Sequence, residues 1–286
     1  MFMKIVKKIM SSALALTCVF GCLGTFSACD EGNPEAQIVL EFNDNEYVLN
    51  YQLYKDKTPA TVNHFIWLAE NGYYDGLCIH DYQADNNRLY TGAYSLDAYG
   101  NLEYKDYYEF VTTGEKSKSF PYTVWNDEEK EDPLFTVYGE FSANSFKVGE
   151  NNRDVLKQQY GSLSMFYHAK DVDGRKAWGK NSKGEIIERG YSENSATSMF
   201  YISTVTSATT NNSHCTFATL NNKDALEDLE DAIADYIGDE DDSWFVSSQT
   251  MIKDPLDPIV GSKNEETTYK LPNQPIVIKS VRITKY

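Results

Sequence analysis

The sequence predicts a mainly β globular fold with a few helices. Two segments near the start of the body alternate apolar and polar residues, the stretch after them switches to helical spacing, and the composition supplies a core. Of 286 residues, 41% are hydrophobic and 14% aromatic, with 21 Tyr, 14 Phe and 4 Trp. That is ample for one large domain or two small ones, and too apolar for a disordered chain. The charge balance is acidic, 26 Lys and Arg against 43 Asp and Glu, giving a formal −17. Such a surface argues against nucleic acid as a partner, because phosphate neutralisation needs clustered Lys and Arg.

The first 28 residues differ from the rest. Lys4, Lys7 and Lys8 precede an apolar, small-residue stretch over 9–25 with no acid, the pattern of a secretory signal. Ser27-Ala28 before Cys29 resembles the lipobox of bacterial lipoproteins, in which the cysteine is acylated and becomes the new N-terminus. The resemblance implies lipidation at Cys29, a polar tether over 29–36, and an extracytoplasmic body anchored to the bacterial cell membrane. The alternative is an uncleaved transmembrane anchor, since the stretch approaches the roughly 20 residues a span needs. Either way the body lies outside the membrane, with a charge of about −20 once the three lysines are gone. Only Cys78 and Cys215 then remain in the body, too few for a disulfide scaffold.

Residues 37–42, Gln-Ile-Val-Leu-Glu-Phe, alternate and are β-branched; Asn43-Asp44-Asn45 supplies turn chemistry, and 47–53 continues as a second strand, so the two pair as a hairpin. The period then changes. Thr58 is a cap before Pro59 at the first helical position, and Val62, Phe65, Ile66 and Ala69 recur at helical spacing until Asn71-Gly72 ends the helix. Residues 73–80 read as strand again. A second amphipathic helix is expected over 223–236, with Leu226, Leu229, Ile233 and Tyr236 on one face.

These residues carry a family resemblance. Leu53-Tyr54 ahead of Pro59, the helix with Val62 and Phe65, Gly72-Tyr73-Tyr74-Asp75-Gly76 and Ile79-His80 are similar to the opening of a cyclophilin, the peptidyl-prolyl isomerase family. Later blocks follow in the family's order: Gly139-Glu140-Phe141, Gly161-Ser162-Leu163-Ser164-Met165, Asn194-Ser195 through Phe200-Tyr201-Ile202, His214 with Phe217, and a closing strand over 275–283. The resemblance implies a closed eight-stranded antiparallel β-barrel capped by two helices over 37–286, with insertions near 93–135 and 237–268. It also implies a monomer that takes a proline-containing peptide or an exported protein client, without cofactor or metal.

The resemblance fails selectively at the site. The family aims an arginine at the prolyl nitrogen; the residue after Ile79-His80 here is Asp81, an acceptor that cannot donate that hydrogen bond. Carried over residue by residue, the remaining peptide-binding positions are Leu89 and Thr91 in the following loop, Phe166 after Ser164-Met165, Met199 and Tyr201 around Phe200, and His214. Arg88 is the nearby cation and the candidate to swing into the vacated place. The first insertion carries hairpin-like alternation at 102–104 and 110–112; the acidic runs 239–242 and 171–174 lack calcium-loop spacing and are read as solvated turns. Two functions survive: a lipid-anchored isomerase assisting folding of exported proteins, with catalysis weak or lost, and a non-catalytic peptide- or protein-binding module on the cell surface.

Overall fold

The computed structural model describes residues 32–141, 156–166, 176–181, 184–190, 195–210, 214–238, 244–251 and 266–286. Cys29 with the leader, the runs 171–174 and 239–242, and part of the second insertion lie outside the described residues.

Strand β1 (Glu35–Phe42) and β2 (Asn45–Leu53) form the expected hairpin, with Asn43 and Asp44 in the left-handed region at φ 48° and 62°. Alternation sends Ala36, Ile38, Leu40 and Phe42 of β1 to the core. Helix α1 (Pro59–Glu70) follows. Thr58 does not cap it through its side chain; the Glu140 carboxylate does, accepting from the amides of Ala60 (3.1 Å) and Thr61 (2.8 Å). A buried carboxylate thus meets the helix N-terminus, where free N–H groups and the helix dipole favour negative charge.

Residues 73–80 correct the sequence reading: they form turns and a single bridge, because Gly72 and Gly76 sit at φ 71° and 82° and break the extended run. The strand begins instead at Asp81, with β3 (Asp81–Gln83) and β4 (Arg88–Thr91). Next comes the hairpin of β5 (Tyr94–Leu96) and β6 (Leu102–Tyr104), as the alternation at 102–104 suggests. Residues 110–112 instead belong to helix α2 (Tyr107–Thr112), whose N-cap Asp106 accepts from the Glu109 amide. Short strands β7 (Val124–Trp125), β8 (Pro133–Leu134) and β9 (Val137–Tyr138) complete that part of the chain.

Beyond it lie β10 (Leu163–Met165), β11 (Lys176–Lys180), β12 (Ile186–Gly190), β13 (Ser195–Ala196), β14 (Phe200–Ser203), β15 (Thr216–Leu220) and helix α3 (Lys223–Ile237). Leu226, Leu229 and Ile233 of α3 are buried; Tyr236, expected on that face, is exposed, and Ile237 takes the buried place. Strands β16 (Val246–Met251) and β17 (Thr267–Pro272) pair antiparallel, and β18 (Ile276–Lys285) follows.

The main sheet is eight-stranded, in the order β18-β1-β2-β15-β10-β14-β4-β3, curled around a core that α1 and α3 help to fill. It is mainly β with few helices, as predicted, but the barrel is open rather than closed. Strands β3 and β18 are the two ends of the ladder and do not pair with each other. The reason is local: the segment that lies beside β18 is 76–79, which makes only a bridge at Cys78–Val277 and bonds such as Ile79 N–H to Ile276 O (2.9 Å). Cys78 and Cys215 are buried thiols.

Candidate functional site

Register decides which side chains meet. Across β3, β4, β14, β10 and β15 the opposed residues are Asp81, Tyr90, Tyr201, Ser164 and Thr216, and directly opposed residues share a face. The neighbouring row, Leu89, Ile202 and Leu163, points into the core. Arg88, two residues before Tyr90, therefore lies on the outer face with Gln83 and Ser203.

On that face the aromatic side chains enclose a cation. The Arg88 guanidinium stands 4.7 Å over the Tyr201 ring, and its Nη1 donates to Tyr90 Oη at 3.0 Å. Arg88 Nε is buried and has no hydrogen-bond partner among the described residues. Tyr90 packs against Tyr201 (5.3 Å between centroids) and edge-on to Phe166 (5.2 Å). Phe166 stacks on His214 at 6.1 Å with 29° between planes, and His214 meets Tyr201 edge-on at 5.7 Å. The floor is fixed from below: Tyr201 Oη donates to Gln158 Oε1 (3.1 Å), and Gln158 Nε2 donates to Ser203 Oγ (3.1 Å). Burial, and then the Arg88 charge, push the His214 imidazole down to about 4, so it is neutral near pH 7.

Of the residues proposed from sequence, Arg88, Phe166, Tyr201 and His214 come together here. Tyr90 joins them and was missed; its signal was the period of two from Arg88. Leu89 and Thr91 are not in the cluster, since the same period turns them to the other face of β4: Leu89 is in the core, and Thr91 is buried with its hydroxyl donating to Cys78 O at 2.8 Å. Met199 packs in a separate apolar group with Cys78, Tyr94, Tyr269 and Leu271, against which Phe166 leans.

Asp81 is buried and faces β17. Its Oδ1 accepts the Lys270 amide of β17 at 2.8 Å, and Gln83 Nε2 donates to both carboxylate oxygens at 3.0 and 2.9 Å. Burial raises its pKa while these hydrogen bonds oppose the rise. His80, the residue before it, is buried between Tyr94 and Tyr269, each ring centroid 5.0 Å away, and burial lowers its pKa to about 3. A pocket of about 360 Å³ on the first insertion, lined by Lys105, Asp106, Glu109, Phe110, Thr113 and Lys116, shares no residue with this cluster.

Chemically, the outer face offers an apolar aromatic floor, a neutral imidazole and a guanidinium with donors to spare. Comparison with known proteins gives the framework a family. Solved structures similar to the chain include a cyclophilin-type peptidyl-prolyl cis-trans isomerase of Cryptosporidium parvum, 14% identical, with 89% of this chain and 99% of that one covered at a TM-score of 0.43. The same isomerase in the presence of the dipeptide Ala-Pro is 14% identical, with 88% and 99% covered at 0.42. No curated protein matches the sequence. The family model for the cyclophilin type peptidyl-prolyl cis-trans isomerase matches residues 38–253, a span that runs from β1 to just past β16 and takes in the whole aromatic face, and the chain belongs to that family.

Proposed function

We propose that this protein is a lipid-anchored, extracytoplasmic cyclophilin that holds proline-containing segments of exported proteins against the Arg88, Tyr90, Phe166, Tyr201 and His214 face, and that it isomerises them weakly or not at all. Isomerisation is slow because the amide's partial double bond imposes a barrier of about 18–20 kcal/mol, so a catalyst must favour the form in which the nitrogen lone pair is localised. A donor aimed at that nitrogen does so.

The observation that carries the reading is the state of Asp81. The group at the family's arginine position is an acceptor, and both its oxygens are already engaged by Lys270 and Gln83. It has no proton to give to a prolyl nitrogen. The anchoring and location rest on Cys29 and the leader, by resemblance to a lipobox.

The same observation favours a second reading, in which the face binds and never turns over. A protease-coupled X-Pro peptide assay decides between them. The expected result is a rate far below that of an arginine-bearing cyclophilin at equal concentration; turnover as fast as that relative's overturns the proposal. A residual rate that saturates with peptide supports the weak isomerase, whereas saturable binding with no rate supports the binding module. Mass determination of the chain isolated from membranes tests the anchor, with a diacylated N-terminal Cys29 expected.

A further inference from the structure

Within the reading just given, Arg88 carries more than packing. It is half-buried in an acidic protein, yet none of its contacts among the described residues is a carboxylate: they are the Tyr90 hydroxyl and the Tyr201 ring, and its charge acts on His214. Its Nε donor is buried and has no hydrogen-bond partner among the described residues. A buried donor left unmade costs on the order of 1–3 kcal/mol, a cost that an acceptor drawing the guanidinium toward itself would offset. His214 beside it is neutral near pH 7 and neither competes for an anion nor adds charge. Phe166 and His214, both partly exposed, form the rim beside the guanidinium.

We infer that the Arg88 face selects proline peptides that carry a carboxylate next to the proline, with the guanidinium binding the carboxylate while the aromatic rings of Tyr90, Phe166 and Tyr201 take the apolar ring. Arginine is suited to this because its planar fork meets a carboxylate through two parallel hydrogen bonds. The chain's overall charge of −17 opposes an anionic ligand, but at physiological salt charges beyond about 8 Å are largely screened, so the adjacent cation decides.

The carboxylate can come from an Asp or Glu side chain or from a peptide C-terminus, and the two sources are separable. Isothermal titration of the full chain in mild detergent would compare acetyl-Ala-Glu-Pro-Phe-amide, acetyl-Ala-Gln-Pro-Phe-amide and acetyl-Ala-Gln-Pro with a free carboxylate. The expected result is that at least one carboxylate peptide binds about five- to tenfold tighter than the neutral amide, the advantage of a charge-assisted pair at a half-exposed site. Raising salt to about 1 M should shrink that ratio while leaving the neutral peptide unchanged. Arg88→Gln should bring the ratio to about one, and Arg88→Lys, which keeps the charge without the fork, should leave it intermediate. Equal binding of all three peptides overturns the carboxylate inference and leaves the proline face standing. Binding of none of them overturns both.

Discussion

Asp81 plays an architectural role. Its neighbour across the strand pair, Tyr90, belongs to the aromatic face, yet the carboxylate itself is spent on Lys270 N–H and Gln83 Nε2. An arginine at this place would therefore set donors against a donor. Asp81→Arg is expected to leave the Lys270 amide unpaired and push the β17 strand away, costing about 2–3 kcal/mol of unfolding free energy. No gain in isomerase rate should accompany it. Urea denaturation checks the first part and the coupled peptide assay the second; a variant as stable as the parent and newly fast would overturn this account of Asp81. That an acidic residue follows Ile79-His80 directly was legible in the sequence. Its partner was not, because Lys270 lies 189 residues away and no spacing rule links them. Tyr90 was legible in principle, by the period of two that places it with Arg88, once β4 is recognised as a strand rather than a loop.

At the scale of elements, periodicity served where one face of a segment is buried and failed where a neighbour overrides it. β1, β2, α1 and α3 read correctly because their apolar spacing matches the side they bury. The β16 sequence Val-Ser-Ser-Gln-Thr-Met carries no such contrast, and its pairing with β17 is settled by the hairpin's seat against β3. Helix α1 shows the same limit at its end: Thr58 has the right chemistry to cap it, but Glu140, about eighty residues on, holds the place. Burial pushes the Glu140 carboxyl up to about 7, with the hydrogen bonds from Thr61 and Ala60 pulling the other way. The folded state thus keeps this proton at pH values where the unfolded chain has released it, and stability contributed at low pH is lost as pH rises from the ordinary Glu value toward 7. Compared with Glu140→Gln, which keeps an acceptor and cannot ionise, the parent should lose stability across that window with a slope of up to about 1.4 kcal/mol per pH unit. Paired urea titrations at a series of pH values test it; parallel curves for the two proteins would remove Glu140 as the source. Glu140→Ala should be less stable than Glu140→Gln by about 1 kcal/mol at every pH, because two helix N–H groups then lose their acceptor.

For the whole molecule, the boundaries of family likeness and of the folding unit differ. The family match ends at residue 253, yet the sheet is completed only by β18, which pairs along β1 from Glu35↔Lys285 to Phe42↔Ile276. Ile276, Ile278 and Val281 of β18 are fully buried, each contributing about 1.5–3 kcal/mol by leaving water. Together that is on the order of 5–9 kcal/mol, against a net stability of about 5–15 kcal/mol for a typical domain. The loss does not stop there. Without β18, the edge of β1 is left bare, an eight-residue template for intermolecular pairing. The chain segment 76–79 loses its bonds to residues 276 and 278, and Asp81 loses Lys270. A chain ending at residue 253 is therefore expected to be insoluble or molten, with lost near-ultraviolet circular dichroism and binding of a hydrophobic dye, although it contains every residue of the aromatic face. Adding residues 266–286 in trans as a peptide should restore tertiary structure at least in part, because β18 docks on an edge that the rest of the sheet already shapes. If the shortened chain instead unfolds cooperatively near the parent's melting temperature, the seam between β1 and β18 is not what holds the curled sheet together.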